Sequence, residues 1–120
     1  MTLNLDTYVD LVMPWRRYLL APGPVRVRAT PTDCPDLSSA VYIALDYDGV
    51  VRYVGSVDRT HGGLPERIAE HRRNRFESRY WVSLWVVSLR PETPRETVRR
   101  IEGAIGRALT PVDGHRLPVA

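Results

Sequence analysis

From residue 40 onward, strand-like and helix-like hydrophobic patterns succeed one another, and their order sets the expected fold. Residues 41–45 and 50–55 are apolar runs rich in β-branched and aromatic side chains, a composition that favours strands. Asp46-Tyr47-Asp48-Gly49 lies between them, and Asp-Gly is a strong hairpin signal because both residues tolerate positive φ. Residues 56–63 read as a polar loop ending in Gly62-Gly63. Residues 64–75 read as a helix, with Leu64 and Ile68 on one side and Arg67 and His71 sharing a face. Residues 81–89 carry apolar side chains on both parities, as a central strand covered on both faces does. Thr93-Pro94-Arg95-Glu96 has the composition of a capping box with proline at the first helical position. The helix that follows would bury Val98, Ile101, Ile105 and Leu109 before Pro111 stops it.

The first 40 residues are patterned more weakly. Tyr8, Leu11, Val12, Trp15 and Leu19 fall on one helical face, but Pro14 interrupts the run and predicts two short helices or a kink near Met13. Pro22, Pro24, Pro31 and Pro35 make residues 21–40 a loop, although alternation over residues 25–28 allows a short edge strand. The layout predicts a mixed α+β fold: a three-stranded antiparallel sheet flanked by helices, with an N-terminal helical extension. The division falls after residue 39. Packing of residues 1–20 on the chain's own domain is the favoured use of their apolar face, because small domains bury every such face they can. A homodimer or a partner protein held through the same residues is the alternative.

Composition narrows the chemistry. All 17 basic residues are arginine, which excludes a lysine Schiff base and the lysine of a phosphate-binding loop. A lone cysteine, Cys34, can form neither an internal disulfide nor a Cys-Cys zinc site. No apolar run approaches the roughly 20 residues of a membrane helix, so a soluble cytoplasmic protein without membrane contact is expected. The net charge of +3 is ordinary for 120 residues, but its distribution is not. Arg67, Arg72, Arg73, Arg75 and Arg79 face only Glu70 and Glu77 in the same stretch, and such a stripe suits a phosphate backbone. A solvated helix face is the plainer account of that charge.

Several residues of the second half form a set. Val41-Tyr42-Ile43 is followed by Tyr53-Val54-Gly55, then by Arg67 with His71 four residues on, then by Glu102 in the last helix. This set resembles the GIY-YIG nuclease superfamily over roughly residues 40–118, so residues 40–120 are expected to form a GIY-YIG-like nuclease domain. The resemblance implies a metal-dependent endonuclease that hydrolyses phosphodiester bonds in DNA, with RNA not excluded as a substrate. Tyr42 or Tyr53 would activate the attacking water, which calls for a phenol pKa lowered from about 10 by nearby cations. Arg67 would stabilise charge developing on phosphate, and His71 would relay a proton or bind phosphate. Glu102, beside the buried face of its helix, would hold one divalent ion, Mg²⁺ or Mn²⁺; a salt bridge to Arg67 or Arg99 is the competing use of that carboxylate. Gly55 would permit close backbone approach. Arg72, Arg73, Arg75 and Arg79 are the candidate nucleic-acid contacts.

The sequence also departs from the family pattern. The first motif reads Ala40-Val41-Tyr42, without its usual glycine, and the loop containing His61 is long. The asparagine that often follows the glutamate helix is missing from Pro111-Val112-Asp113-Gly114-His115, where Asp113 or His115 could substitute as an anchoring group. That loss motivates a second reading, a catalytically weak or inactive nucleic-acid-binding or partner-binding module on the same scaffold.

Overall fold

The hairpin signalled by Asp-Gly forms one side of the sheet in this molecule, for which a computed structural model describes residues 5–58 and 62–113. Strand β2 (Ser39–Leu45) pairs antiparallel with β3 (Val51–Asp58). The Asp46 carboxylate closes the turn by accepting the Asp48 and Val50 amides at 2.9 and 3.0 Å, and Gly49 supplies φ of 79°. Ala44 lies opposite Tyr53 while Leu45 lies opposite Val51, so Arg52 is an extra, bulged residue. The bulge reverses the parity of β3. Val51 therefore packs on one face of the sheet while Tyr53 and Val57 pack on the other.

The sheet has four strands rather than the three expected, in the order β1-β4-β2-β3 and antiparallel throughout. The additional strand, β1 (Val25–Arg28), pairs with β4 (Ser83–Ser88). Its Val-Arg-Val-Arg side chains are mostly exposed, so little in their pattern demanded a buried partner. Strand β4 is central, as its two-sided apolar pattern implied. Strand β3 runs on through Asp58, so Ser56 belongs to the strand and not to the loop expected at residues 56–63.

Helices cover both faces. Helix α3 (Arg95–Leu109) lays Val98, Ile101, Ile105 and Leu109 on Val41, Ile43, Val51 and Val54. Tyr8 and Val12 of helix α1 (Leu5–Val12) join this core, so the N-terminal helix packs on its own chain. It gives way at Met13 to a 3-10 turn with a non-helical Trp15, the break that Pro14 predicts. On the opposite face, Leu64 and Ile68 of helix α2 (Gly63–Asn74) pack against Ala40, Tyr42, Ala44 and Val57. The capping box at Thr93 does not form. The Thr93 hydroxyl donates to the Arg90 carbonyl at 2.6 Å, closing the preceding turn, and α3 starts one residue later with Pro94 as its uncapped first neighbour.

Arg72 turns inward instead of joining a nucleic-acid surface. Its guanidinium donates to the carbonyls of Ala29, Ser78 and Trp81, tying the loop after β1 to the 3-10 turn Phe76–Tyr80 that follows α2. Burial lowers its pKa from the ordinary arginine value. Cys34 is buried and free, and its thiol donates to the Thr30 carbonyl at 3.2 Å. Among the described residues, no helix is long and apolar enough to cross a membrane. Removing the Arg72 fork would take a donor from all three carbonyls, of which Ser78 keeps the Trp81 amide at 3.0 Å. Arg72→Ala is therefore expected to lower the unfolding free energy by about 2–4 kcal/mol, against less than about 0.5 kcal/mol for exposed Arg73→Ala. Urea titration of the two variants checks this, and equal losses would count against the clamp.

Candidate active site

Pairing of β2 with β3 puts Tyr42 directly opposite Gly55. A Cβ at Gly55 would lie 2.5 Å from the Tyr42 hydroxyl oxygen and 2.8 Å from Cε2 of Tyr53. Only glycine leaves room for both rings, and the motif glycine is thereby accounted for by contact geometry. Both tyrosines emerge on the face covered by α2, with ring centroids 6.3 Å apart.

Arg67 and His71, one turn apart on α2, meet the Tyr42 hydroxyl together. It lies 2.6 Å from His71 Nε2, and Arg67 Nε donates to it over 3.2 Å. The imidazole stands edge-on to Tyr42 and Tyr53 at centroid distances of 5.7 and 4.9 Å. Trp81 closes the cluster, 5.2 Å from His71 and 5.0 Å from Tyr53. Tyr42, His71 and Trp81 are all buried.

Glu102 reaches the same site from the other side of β3. It is buried on α3, and Ser56, which alternation along β3 places on the α3 face, donates its hydroxyl to Glu102 Oε1. Among the described residues it pairs with neither Arg67 nor Arg99. Its charge is felt by both phenols, disfavouring their ionisation. Sequence reasoning overlooked Ser56 because it was assigned to a loop. The alternation Val54, Ser56 on a strand facing α3 was the signal that could have found it.

The electrostatics correct one expectation. Nearby cations do not lower the phenol pKa values: burial pushes both Tyr42 and Tyr53 above the ordinary tyrosine value, and Arg67 opposes this without overcoming it. Arg75 also opposes it at Tyr53. For Arg67, burial lowers the guanidinium pKa, but Tyr42, Tyr53 and Glu70 together raise it, so it is a permanent cation. The phenols are thus neutral hydroxyls across the physiological range.

The remaining candidates fall in three places. Asp113 is a structural anchor: it accepts Trp81 Nε1 at 3.1 Å, pairs with Arg52 at 2.8 Å, and takes its own amide to the Arg52 carbonyl at 2.7 Å. It acts on the cluster through Trp81. His115 and His61 lie outside the described residues. Arg75 places its guanidinium 4.8 Å from the Tyr53 ring centroid, while Arg73 and Arg79 are exposed on the turn beyond.

Among the described residues, no three His, Cys, Asp or Glu side chains converge on one point. A closed transition-metal cage is therefore not what they build. Glu102, a buried carboxylate that among the described residues forms no ion pair, takes the Ser56 hydroxyl and acts electrostatically on both phenols, which makes a hard oxygen set. It fits a Mg²⁺- or Mn²⁺-sized ion that keeps most of its water.

The chain matches no family model, no curated protein and no solved structure.

Gly55→Ala is expected to cost about 1–3 kcal/mol through forced displacement of Tyr42. Gly23→Ala, with nothing within 4 Å of the new methyl, serves as the control. Urea denaturation of both distinguishes a packed glycine from a tolerant one; equal stability would remove the steric account.

Proposed function

We propose that this protein is a divalent-metal-dependent endonuclease of the GIY-YIG type, hydrolysing phosphodiester bonds in DNA. The observation that carries this reading is the meeting of Tyr42, Tyr53, Arg67, His71 and Glu102, from four separate elements, around Gly55. A buried core tyrosine needs only one hydrogen-bond partner. Here an imidazole and a guanidinium both converge on one hydroxyl, with a carboxylate close enough to act on it electrostatically.

Tyr42 is the better candidate for activating water, because its hydroxyl touches both His71 and Arg67. Its raised pKa makes a standing phenolate the wrong description. With His71 Nε2 as acceptor, Tyr42 passes its own proton to the imidazole as its oxygen takes one from the attacking water. The two transfers together create hydroxide at the phosphorus without a free phenolate. Arg67, always charged, stabilises negative charge on the phosphoryl oxygens as the P–O bond breaks. Tyr53 and Trp81 hold the imidazole ring in place and keep bulk water off it. Glu102, oriented by Ser56, would hold the divalent ion, which supplies Lewis-acid stabilisation of the phosphoryl oxygens.

Purified protein is expected to nick or cut DNA with Mg²⁺ or Mn²⁺ and to be silenced by EDTA. Glu102→Gln and Tyr42→Phe should each lower the rate at least about a hundredfold while the fold persists. Unchanged cleavage in either variant, or in EDTA, would overturn the mechanism. Salt-dependent DNA binding without cleavage under any divalent ion would leave the binding-module reading in its place.

The relay also has a pH signature. Activity should level off on the alkaline side, because Tyr42 remains protonated there. A log-linear climb in rate to about pH 10 would favour a phenolate base and sink the relay.

A further inference from the structure

We infer that the turn Phe76–Tyr80 is a stacking platform for unpaired bases, so that this site takes DNA with a single-stranded segment beside the cut. The inference rests on the endonuclease reading and specifies its substrate class. Phe76 is 66% exposed and Tyr80 44% exposed, although each is large enough to be worth burying. Neither side chain is idle. The Arg79 guanidinium lies 3.6 Å from the Phe76 ring centroid and 4.7 Å from that of Tyr80, and it donates to the Tyr80 hydroxyl at 2.6 Å. Arg52 also stacks on Tyr80, at 5.0 Å. The result is a series of planar groups, two aromatic and two cationic, with the outer ring open to solvent.

A concavity of about 550 Å³ adjoins this series, lined by Arg73, Arg75, Phe76 and Arg79. The turn carries one acid, Glu77, which does not line it. Among the described residues, Arg73 and Arg79 form no ion pair, so their charges are available to an anion. Arg75 joins this concavity to the site. Its guanidinium covers Tyr53, and its buried Nε has no hydrogen-bond partner among the described residues. A strand whose scissile phosphate sits at Tyr42 and Arg67 would meet Arg75 next and the platform after it.

An intact duplex can use the arginines but not the exposed ring, because its bases are stacked on one another. An unpaired base has a free π-face, and stacking on an aromatic side chain tolerates any sequence. The joint presence of open rings and unpaired cations therefore favours a single-stranded segment over a blunt duplex.

The test measures binding of the full-length protein in EDTA, where no cutting is expected. The probes are a labelled blunt duplex and the same duplex extended by a thymidine tail with 2-aminopurine at the junction. The tail should tighten binding about tenfold and 2-aminopurine fluorescence should be quenched. Phe76→Ala should abolish both effects and leave blunt-duplex affinity within about twofold, while Phe76→Trp keeps both. Equal affinity for the two probes would overturn the platform. So would a Phe76→Ala protein that retains the preference and the quenching. Tail preference without cleavage in either Mg²⁺ or Mn²⁺ would overturn the endonuclease reading and leave the platform standing; cleavage without tail preference would do the reverse.

Discussion

The Tyr42 ring lies across the backbone of the neighbouring strand, in the space where a side chain at position 55 would stand. The site depends on that overlap. It brings a buried hydroxyl to the outer half of the sheet, where α2 can reach it from one face. The short Ser56 side chain and Glu102 approach from the other face. A methyl group at position 55 would push Tyr42 away from His71 and Arg67 together, because both contacts are made by the same oxygen.

Placing a hydroxyl in the core creates a demand for partners, and the architecture answers it in layers. Arg67 and His71 satisfy the Tyr42 oxygen directly. Trp81 packs on the imidazole and on Tyr53, and Asp113 holds the indole N–H while pairing with Arg52 at the β3 bulge. One irregularity in one strand thus fixes the last shell of the site. The chain following α3 contributes through the same contact, since the amides of Val112 and Asp113 pair with carbonyls of β3 along its otherwise open edge.

Periodicity and turn chemistry were enough to read the β2–β3 hairpin, the two covering helices and the central character of β4. The motif spacing was enough to assemble the five site residues as candidates. What escaped was decided by contacts between distant parts of the chain. Alternation allowed an edge strand over residues 25–28, but its place beside β4 as the fourth strand of the sheet follows from a pairing that an exposed pattern does not signal. Arg72 and Arg73 are indistinguishable in sequence, yet one caps three buried carbonyls and the other faces solvent. The Thr93 hydroxyl had two acceptable uses, and the preceding turn took it. The phenol pKa values followed burial, which composition cannot weigh against a neighbouring arginine.

The order β1-β4-β2-β3 also imposes a schedule on assembly. During synthesis the β2–β3 hairpin can close as soon as it emerges, since its partners are adjacent in the chain. Strand β1 is made first but has nothing to pair with until β4 appears about 60 residues later. Its alternating arginines give the waiting segment charge repulsion against other nascent copies, a protection that a uniformly apolar first strand would lack.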